Sequence, residues 1–290
     1  MRRIVSASDR PPERWRPAAT GNDAARAPLY DAAMEHDMTV EWLDVPGGRL
    51  AYRQWQPAHP RATLMLLHGF GGDSLAFAAL GPMLAERGWR VVAPDMPAHG
   101  VSECPASSLA DLLAPLAVML AQIAPGPVSL AGHSLGGAMA ARLAAASDRV
   151  TSLTLLAPAG LGPVTDTSLP RLIATIATGE QLRGLLERVA LRPPAIPLPQ
   201  LDELAKFLGP RGRLKDLAEV LAEGGDRGLS IVADLAGLAI PVRVLFGLDD
   251  TVIPWTQVSA VPPRIAIHLL PSAGHALHWD QAELVAALIA

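Results

Sequence analysis

The stretch from Val128 to Ala144 reads VSLAGHSLGGAMAARLA. An apolar run ends there in Gly-His-Ser-Leu-Gly, and an alanine- and leucine-rich run of helical composition follows. A strand that had only to turn into a helix would accept almost any turn chemistry. Gly132 and Gly136 instead strip side chains from both flanks of Ser134, which asks for a tight turn with the hydroxyl pushed outward. This is the pattern of a nucleophile elbow, a strained strand-to-helix turn that exposes a serine oxygen and aims the first helix amides at the same place. The plainer reading is a glycine-rich turn whose serine caps a helix. Partners elsewhere in the chain decide between the two.

Strand-like and helix-period segments alternate from Met38 onward, which predicts an α/β fold with a mainly parallel sheet. Buried-type runs occupy 62–69, 90–97, 127–134, 150–159, 241–250 and 264–275. A Pro-Gly-Gly turn at 46–48 splits two alternating runs into an opening hairpin, bringing the expected total to eight strands with helices on both faces. The alternation stops at 160–238, where leucine- and alanine-rich helical segments are broken by LRPPAIPLPQ and GPRGR. The expected organisation is a loose arm at 1–37, a core at 38–159 and 239–290, and an inserted helical segment at 160–238. Hinges are expected where the insertion leaves and rejoins, near Gly160–Pro163 and Leu238–Pro241.

Half of the 290 residues are apolar, enough for one sizeable core. A net charge of −4 without any block of like charge gives no footprint for nucleic acid or an anionic membrane, so a small-molecule substrate is the expected partner. The single cysteine, Cys104, excludes an internal disulfide framework, and cytoplasm is the simpler location. The early arginines are followed by no apolar run of the kind an export signal needs. A Walker-type phosphate loop, a Cys/His metal cluster and a dinucleotide fingerprint are all missing from the sequence, so neither cofactor nor metal is expected.

A serine hydroxyl is a poor nucleophile at neutral pH and needs a base, and the base needs a third group to orient it. In an open α/β sheet the chemistry gathers beyond the carboxyl ends of the strands. That filter selects His275, in LLPSAGHALHWDQ, over His278, which falls at the start of the following helix. It leaves three acids: Asp249 and Asp250 in VLFGLDDTVIP, and Asp95 after RVVAP. The order serine, acid, histidine favours Asp249 or Asp250 over Asp95.

Five segments in order, HGFGG (68–72), DMPAHGVS (95–102), GHSLGG (132–137), GLDDTVIP (247–254) and AGHALHWDQ (273–281), resemble the α/β-hydrolase superfamily from about Met38 to the C-terminus. The resemblance implies that the acid is Asp250, the last position of a Gly-x-x-Asp turn, and that Asp95 is structural. It also implies an oxyanion hole formed by the amides of Phe70 and Leu135, a supporting role for His68, and a cap made by the helical insertion. Among relatives, the chain is similar to the hydrolase-like C-terminal domain of some acetoin dehydrogenase acetyltransferase subunits. It has no lysine in its first fifty residues to serve as a lipoyl attachment site.

Together these features lead to an expected serine hydrolase that cleaves short-to-medium acyl carboxylic esters through an acyl-enzyme. Its catalytic set is Ser134, Asp250 and His275. The alternatives are a carbon–carbon bond (diketone) hydrolase or an acyltransferase, and a non-catalytic ligand-binding or complex-docking domain that keeps the triad.

Overall fold

The computed structural model describes residues 39–163, 166–208, 212–223 and 228–289; the arm expected at 1–37 lies outside the described residues. The strands are β1 (Glu41–Val45), β2 (Gly48–Trp55), β3 (Ala62–Leu67), β4 (Trp89–Pro94), β5 (Val128–His133), β6 (Val150–Leu156), β7 (Val242–Gly247) and β8 (Ala266–Leu270). They form one sheet in the order β1-β2-β4-β3-β5-β6-β7-β8. The hairpin β1–β2 and the β2–β4 pair are antiparallel. The other ladders, from β4 through β3, β5, β6 and β7 to β8, are parallel.

Central parallel strands are covered on both faces and therefore read as continuous apolar runs. β5 is buried along its whole length, and β3 everywhere but its first residue. The covering helices are α1 (Leu80–Glu86), α2 (Leu109–Gln122), α3 (Leu135–Ala145), α8 (Val232–Gly237) and α10 (Ala282–Ile289). α3 follows β5 directly, and small residues, Gly136, Gly137, Ala138, Ala140 and Ala141, let it press against the sheet.

Several strands stop earlier than their apolar runs. The run at 264–275 leaves the ladder after Leu270, because Pro271 has no N–H to donate and Ser272 takes a left-handed φ of 54°. His275 therefore rides on a loop rather than on a strand end, and the short helix α9 (Leu277–Asp280) begins just beyond it.

Between β6 and β7 the chain forms α4 (Leu169–Ala174), α5 (Gly179–Val189), α6 (Leu198–Leu208) and α7 (Gly212–Glu223). α5 opens with a reciprocal capping box between Thr178 and Gln181. Its apolar face meets α6 in a small core of its own, built on Ile176, Leu182, Leu201 and Ala205. Most apolar positions of the insertion are thus spent on packing. Its two ends are bonded to each other and to the segment that links β7 to β8. Ile231 N donates to Gly160 O at 3.0 Å, Gln257 Nε2 to Pro163 O at 2.9 Å, and Arg264 Nη2 to Leu238 O at 2.6 Å. The stretches expected to hinge are held by these bonds in the structure. No helix among the described residues is long and apolar enough to cross a membrane.

Candidate active site

At the β5–α3 junction Ser134 has φ 52° and ψ −119°, a conformation costing a non-glycine residue about 1–3 kcal/mol. The surrounding structure holds it there. Ser134 N donates to Leu156 O at 2.9 Å, and Ser134 O accepts from Gly137 N and Ala159 N at 2.9 and 3.1 Å. The flanking glycines answer the question their pattern raises. A Cβ on Gly132 would lie 2.3 Å from Gly136 O, and one on Gly136 would lie 2.3 Å from Leu67 O. Strand, elbow and the end of β3 meet there without room for a methyl group. The Ser134 side chain makes no capping bond to α3, so the plainer reading of the motif as a helix cap fails. Among the described residues its hydroxyl has no hydrogen-bond partner, and the residue is only half-buried.

The loop after β7 turns Asp250 inward. Its Oδ1 accepts from Val252 N and Ile253 N at 2.8 and 2.9 Å, and its Oδ2 lies 2.9 Å from His275 Nδ1. Both side chains are shielded from solvent, Asp250 completely. Asp249 points to solvent instead. A carboxylate only accepts, so Nδ1 carries the proton and Nε2 is left as the basic nitrogen of His275. The structure thus brings Asp250, not Asp249 or Asp95, to His275.

Asp95 is buried in a different web. It accepts from Ser74 N and Oγ at 2.8 and 2.6 Å and from Val101 N at 2.9 Å, with Arg53 Nη1 at 3.8 Å. These bonds fix the loop after β4. His68 ties the loop after β3 to it, taking a hydrogen bond from Met96 N on Nε2 at 2.9 Å and giving one from Nδ1 to Gly69 O at 2.8 Å. That loop runs against the elbow, since a Cβ on Gly69 would sit 3.3 Å from Ser134 Cβ. The amides of Phe70 and Leu135 have no acceptor among the described residues. Leu135 opens α3, where a helix leaves its N–H groups unpaired and favours negative charge.

Two further imidazoles lie behind His275. His133 is 4.6 Å from the His275 ring and 4.7 Å from the His278 ring, centroid to centroid. His133 Nε2 bonds the carbonyl of His275 at 3.0 Å. Burial first, then the neighbouring imidazoles of His275 and His278, hold His133 well below the usual imidazole range. His278 is buried against Phe77 and Trp279, and neither ring nitrogen has a partner among the described residues. Burial, aided by His275, pushes it down to about 3. Sequence reasoning gave His133 no role, although its place inside Gly-x-Ser-x-Gly made it adjacent to any nucleophile.

The sequence model of the alpha/beta hydrolase family matches residues 64–288. The chain belongs to the alpha/beta hydrolase family. It is 30% identical over 275 residues to the dihydrolipoyllysine-residue acetyltransferase component of the acetoin cleaving system of Pseudomonas putida, covering 92% of this chain and 70% of the relative. To a pyrethroid hydrolase of Sphingobium wenxiniae it is 30% identical over 257 residues, 78% of this chain and 86% of that one. The crystal structure of a membrane phospholipase A, a bacterial virulence factor, superposes with a TM-score of 0.76 at 25% identity, over 87% of this chain and 84% of that chain.

Within this alpha/beta hydrolase no group of three or more His, Cys, Asp or Glu side chains among the described residues is placed to hold a metal ion. A cleft of about 180 Å³ opens between α5 and the proline-broken segment that follows it, lined by Arg183, Leu186, Glu187, Pro194, Ile196 and Leu201 among others. Its lining includes neither Ser134 nor His275, so it is separate from the elbow.

Proposed function

We propose that this alpha/beta hydrolase cleaves short-to-medium acyl carboxylic esters through an acyl-enzyme on Ser134. The observation that carries the reading is the 2.9 Å bond from His275 Nδ1 to an Asp250 oxygen whose partner oxygen is already held by two amides. That arrangement fixes tautomer and ring together and leaves a neutral Nε2 to act as base.

In the proposed reaction Ser134 Oγ bonds the ester carbonyl carbon while His275 Nε2 takes its proton. The carbonyl oxygen becomes an oxyanion facing the Phe70 and Leu135 amides, an interaction worth several kcal/mol of barrier. Asp250 steadies the imidazolium. As the tetrahedral centre collapses, the carbon–oxygen bond to the alcohol breaks and His275 protonates the departing oxygen. Water, deprotonated by the same nitrogen, then attacks the acyl carbon. Ser134 regains its proton as the free acid leaves.

The insertion acts as a cap. Its α5 end lies directly on the acid and base loops, with Ala276 N donating to Val189 O at 2.6 Å and Thr251 Oγ1 to Arg188 O at 3.3 Å. Residues 161–238 contain one aromatic, Phe207, so the apolar side chains the cap can turn toward a substrate are aliphatic and offer no ring to stack on another ring. Each buried methylene contributes about 0.8 kcal/mol, roughly fourfold in kcat/KM, until the acyl chain outgrows the enclosure. Efficiency on p-nitrophenyl esters is therefore expected to rise from acetate to a maximum at butyrate or octanoate and to fall at palmitate. A dienone carbon–carbon substrate is expected to be turned over more slowly than any of the short esters. A maximum at palmitate or on the dienone would defeat this account of the cap.

Acyl transfer is the second reading, favoured by the 30% identity to an acetyltransferase component. The same acyl-enzyme would then pass its acyl group to a thiol instead of water. Adding dihydrolipoamide to the ester assay separates the two, because transfer diverts free acid into thioester. A protein that turns over no ester and takes up no fluorophosphonate on Ser134 would support the non-catalytic reading instead.

A further inference from the structure

The reading of His275 as the base leaves one buried acid in its neighbourhood unused. Asp280, at the end of α9, is 4% exposed and takes its hydrogen bonds from two different parts of the molecule. Oδ2 accepts from Gly274 N at 2.8 Å, in the base loop, and from Leu191 N at 3.2 Å, in the insertion. Oδ1 accepts from Arg192 N at 2.7 Å, and Arg192 Nη1 donates to the Asp280 carbonyl at 3.2 Å.

The peptide on the other side of His275 is held by the same stretch of insertion, through the Ala276 N bond to Val189 O. The N–H groups flanking the base are thus both anchored to residues 189–192, one through the Asp280 carboxylate and one directly. From below, His133 Nε2 bonds the His275 carbonyl. Lifting the α5 end of the insertion would break the Ala276 N bond beside the base and strip Asp280 of two of its three amide donors, leaving the carboxylate to hold Gly274 N alone.

We propose that Asp280 is a positioning residue for His275 and the latch that couples seating of the insertion to readiness of the base. The inference rests on His275 acting on Ser134, and it adds that the 188–192 edge of the insertion stays fixed during turnover. Substrate then enters elsewhere along its rim.

Asp280→Asn tests it, because an amide replaces one accepting oxygen with a donor that must face a backbone N–H. A misplaced base costs rate more than affinity. The expected result is a fall in kcat on p-nitrophenyl butyrate of about 10- to 100-fold, with KM changed by less than about threefold. The rate of Ser134 phosphonylation by a fluorophosphonate should fall in parallel. Hydrogen exchange should rise together in the peptides covering 186–192 and 272–277. Leu191→Pro approaches the latch from the other side, deleting one amide donor at a half-exposed position of the insertion while leaving the core sequence intact. It follows the extended Ala190, a backbone that proline accepts as its predecessor. It should slow phosphonylation in the same direction by a smaller factor, and it carries the test where Asp280→Asn does not fold. Phosphonylation at the wild-type rate in the folded variants, or exchange that rises in only one of the two segments, overturns the latch. A wild-type protein that neither hydrolyses the ester nor takes the phosphonate overturns the hydrolase reading beneath it, a different outcome from a reactive wild type matched by its variants.

Discussion

Ser134→Ala, His275→Ala and Asp250→Asn are each expected to lower p-nitrophenyl ester turnover by roughly four to six orders of magnitude, because the members of such a set act as a unit. Asp250→Asn should sit at the lower end of that range. Its amide can offer Nδ1 of His275 a donor, which turns the imidazole over to the tautomer that cannot accept the Ser134 proton. Asp249→Asn should stay within about twofold of wild type, since that side chain is exposed and bonds nothing in the site. Circular dichroism should show all four variants folded. The loss is chemical, so Ser134→Ala should still bind substrate and should lose all labelling by a fluorophosphonate. Turnover that survives Ser134→Ala would assign the chemistry to another group. An inactive Asp249→Asn beside an active Asp250→Asn would reverse the reading of the acidic turn.

The features legible in the sequence were those that depend on local pattern. β5 and the elbow were readable because a buried parallel strand is apolar throughout and because glycine at 132 and 136 has few other uses beside a serine. Choosing between Asp249 and Asp250 from the residues alone was impossible, since it depends on which carboxylate the turn after Gly247 aims inward. The two amides of Val252 and Ile253 make that choice in the fold. His275 was expected to end the last strand-like run, but the strand stops at Leu270, and the loop that carries His275, set by Pro271 and the left-handed Ser272, lay hidden inside that run. Asp280 and His133 had no signal of their own. The first meets residues 191 and 192 and the second meets residue 275, pairings that only the packed insertion and the closed sheet create.

The buried imidazoles carry the second large effect, on stability. In the unfolded chain both His133 and His278 take up a proton below about pH 6.5. Folded, His278 stays neutral down to about 3, and His133 is likewise held well below its ordinary value, chiefly by burial and by the imidazole of His275. Between these limits the unfolded state binds more protons than the folded one, so stability falls as pH falls. Above about pH 6.5 neither group contributes any slope, and the loss from His278 levels off only near its folded value of about 3. Each pH unit below the unfolded value is worth about 1.4 kcal/mol, so at pH 4.5 His278 should cost roughly 2–3 kcal/mol, and His133 adds to the loss in the same direction. The share from His278 alone is a sizeable part of an ordinary folding free energy of about 5–15 kcal/mol. Urea unfolding at pH 7.5 and pH 4.5 measures the loss directly. His278→Leu isolates one share of it, because that side chain gives up no hydrogen bond when its ring is replaced by an apolar group of similar reach. The variant should match or exceed wild-type stability at pH 7.5 and recover roughly 2–3 kcal/mol of the acid-induced loss at pH 4.5. If wild type and His278→Leu lose the same free energy between the two pH values, the proton taken up on unfolding belongs to other groups.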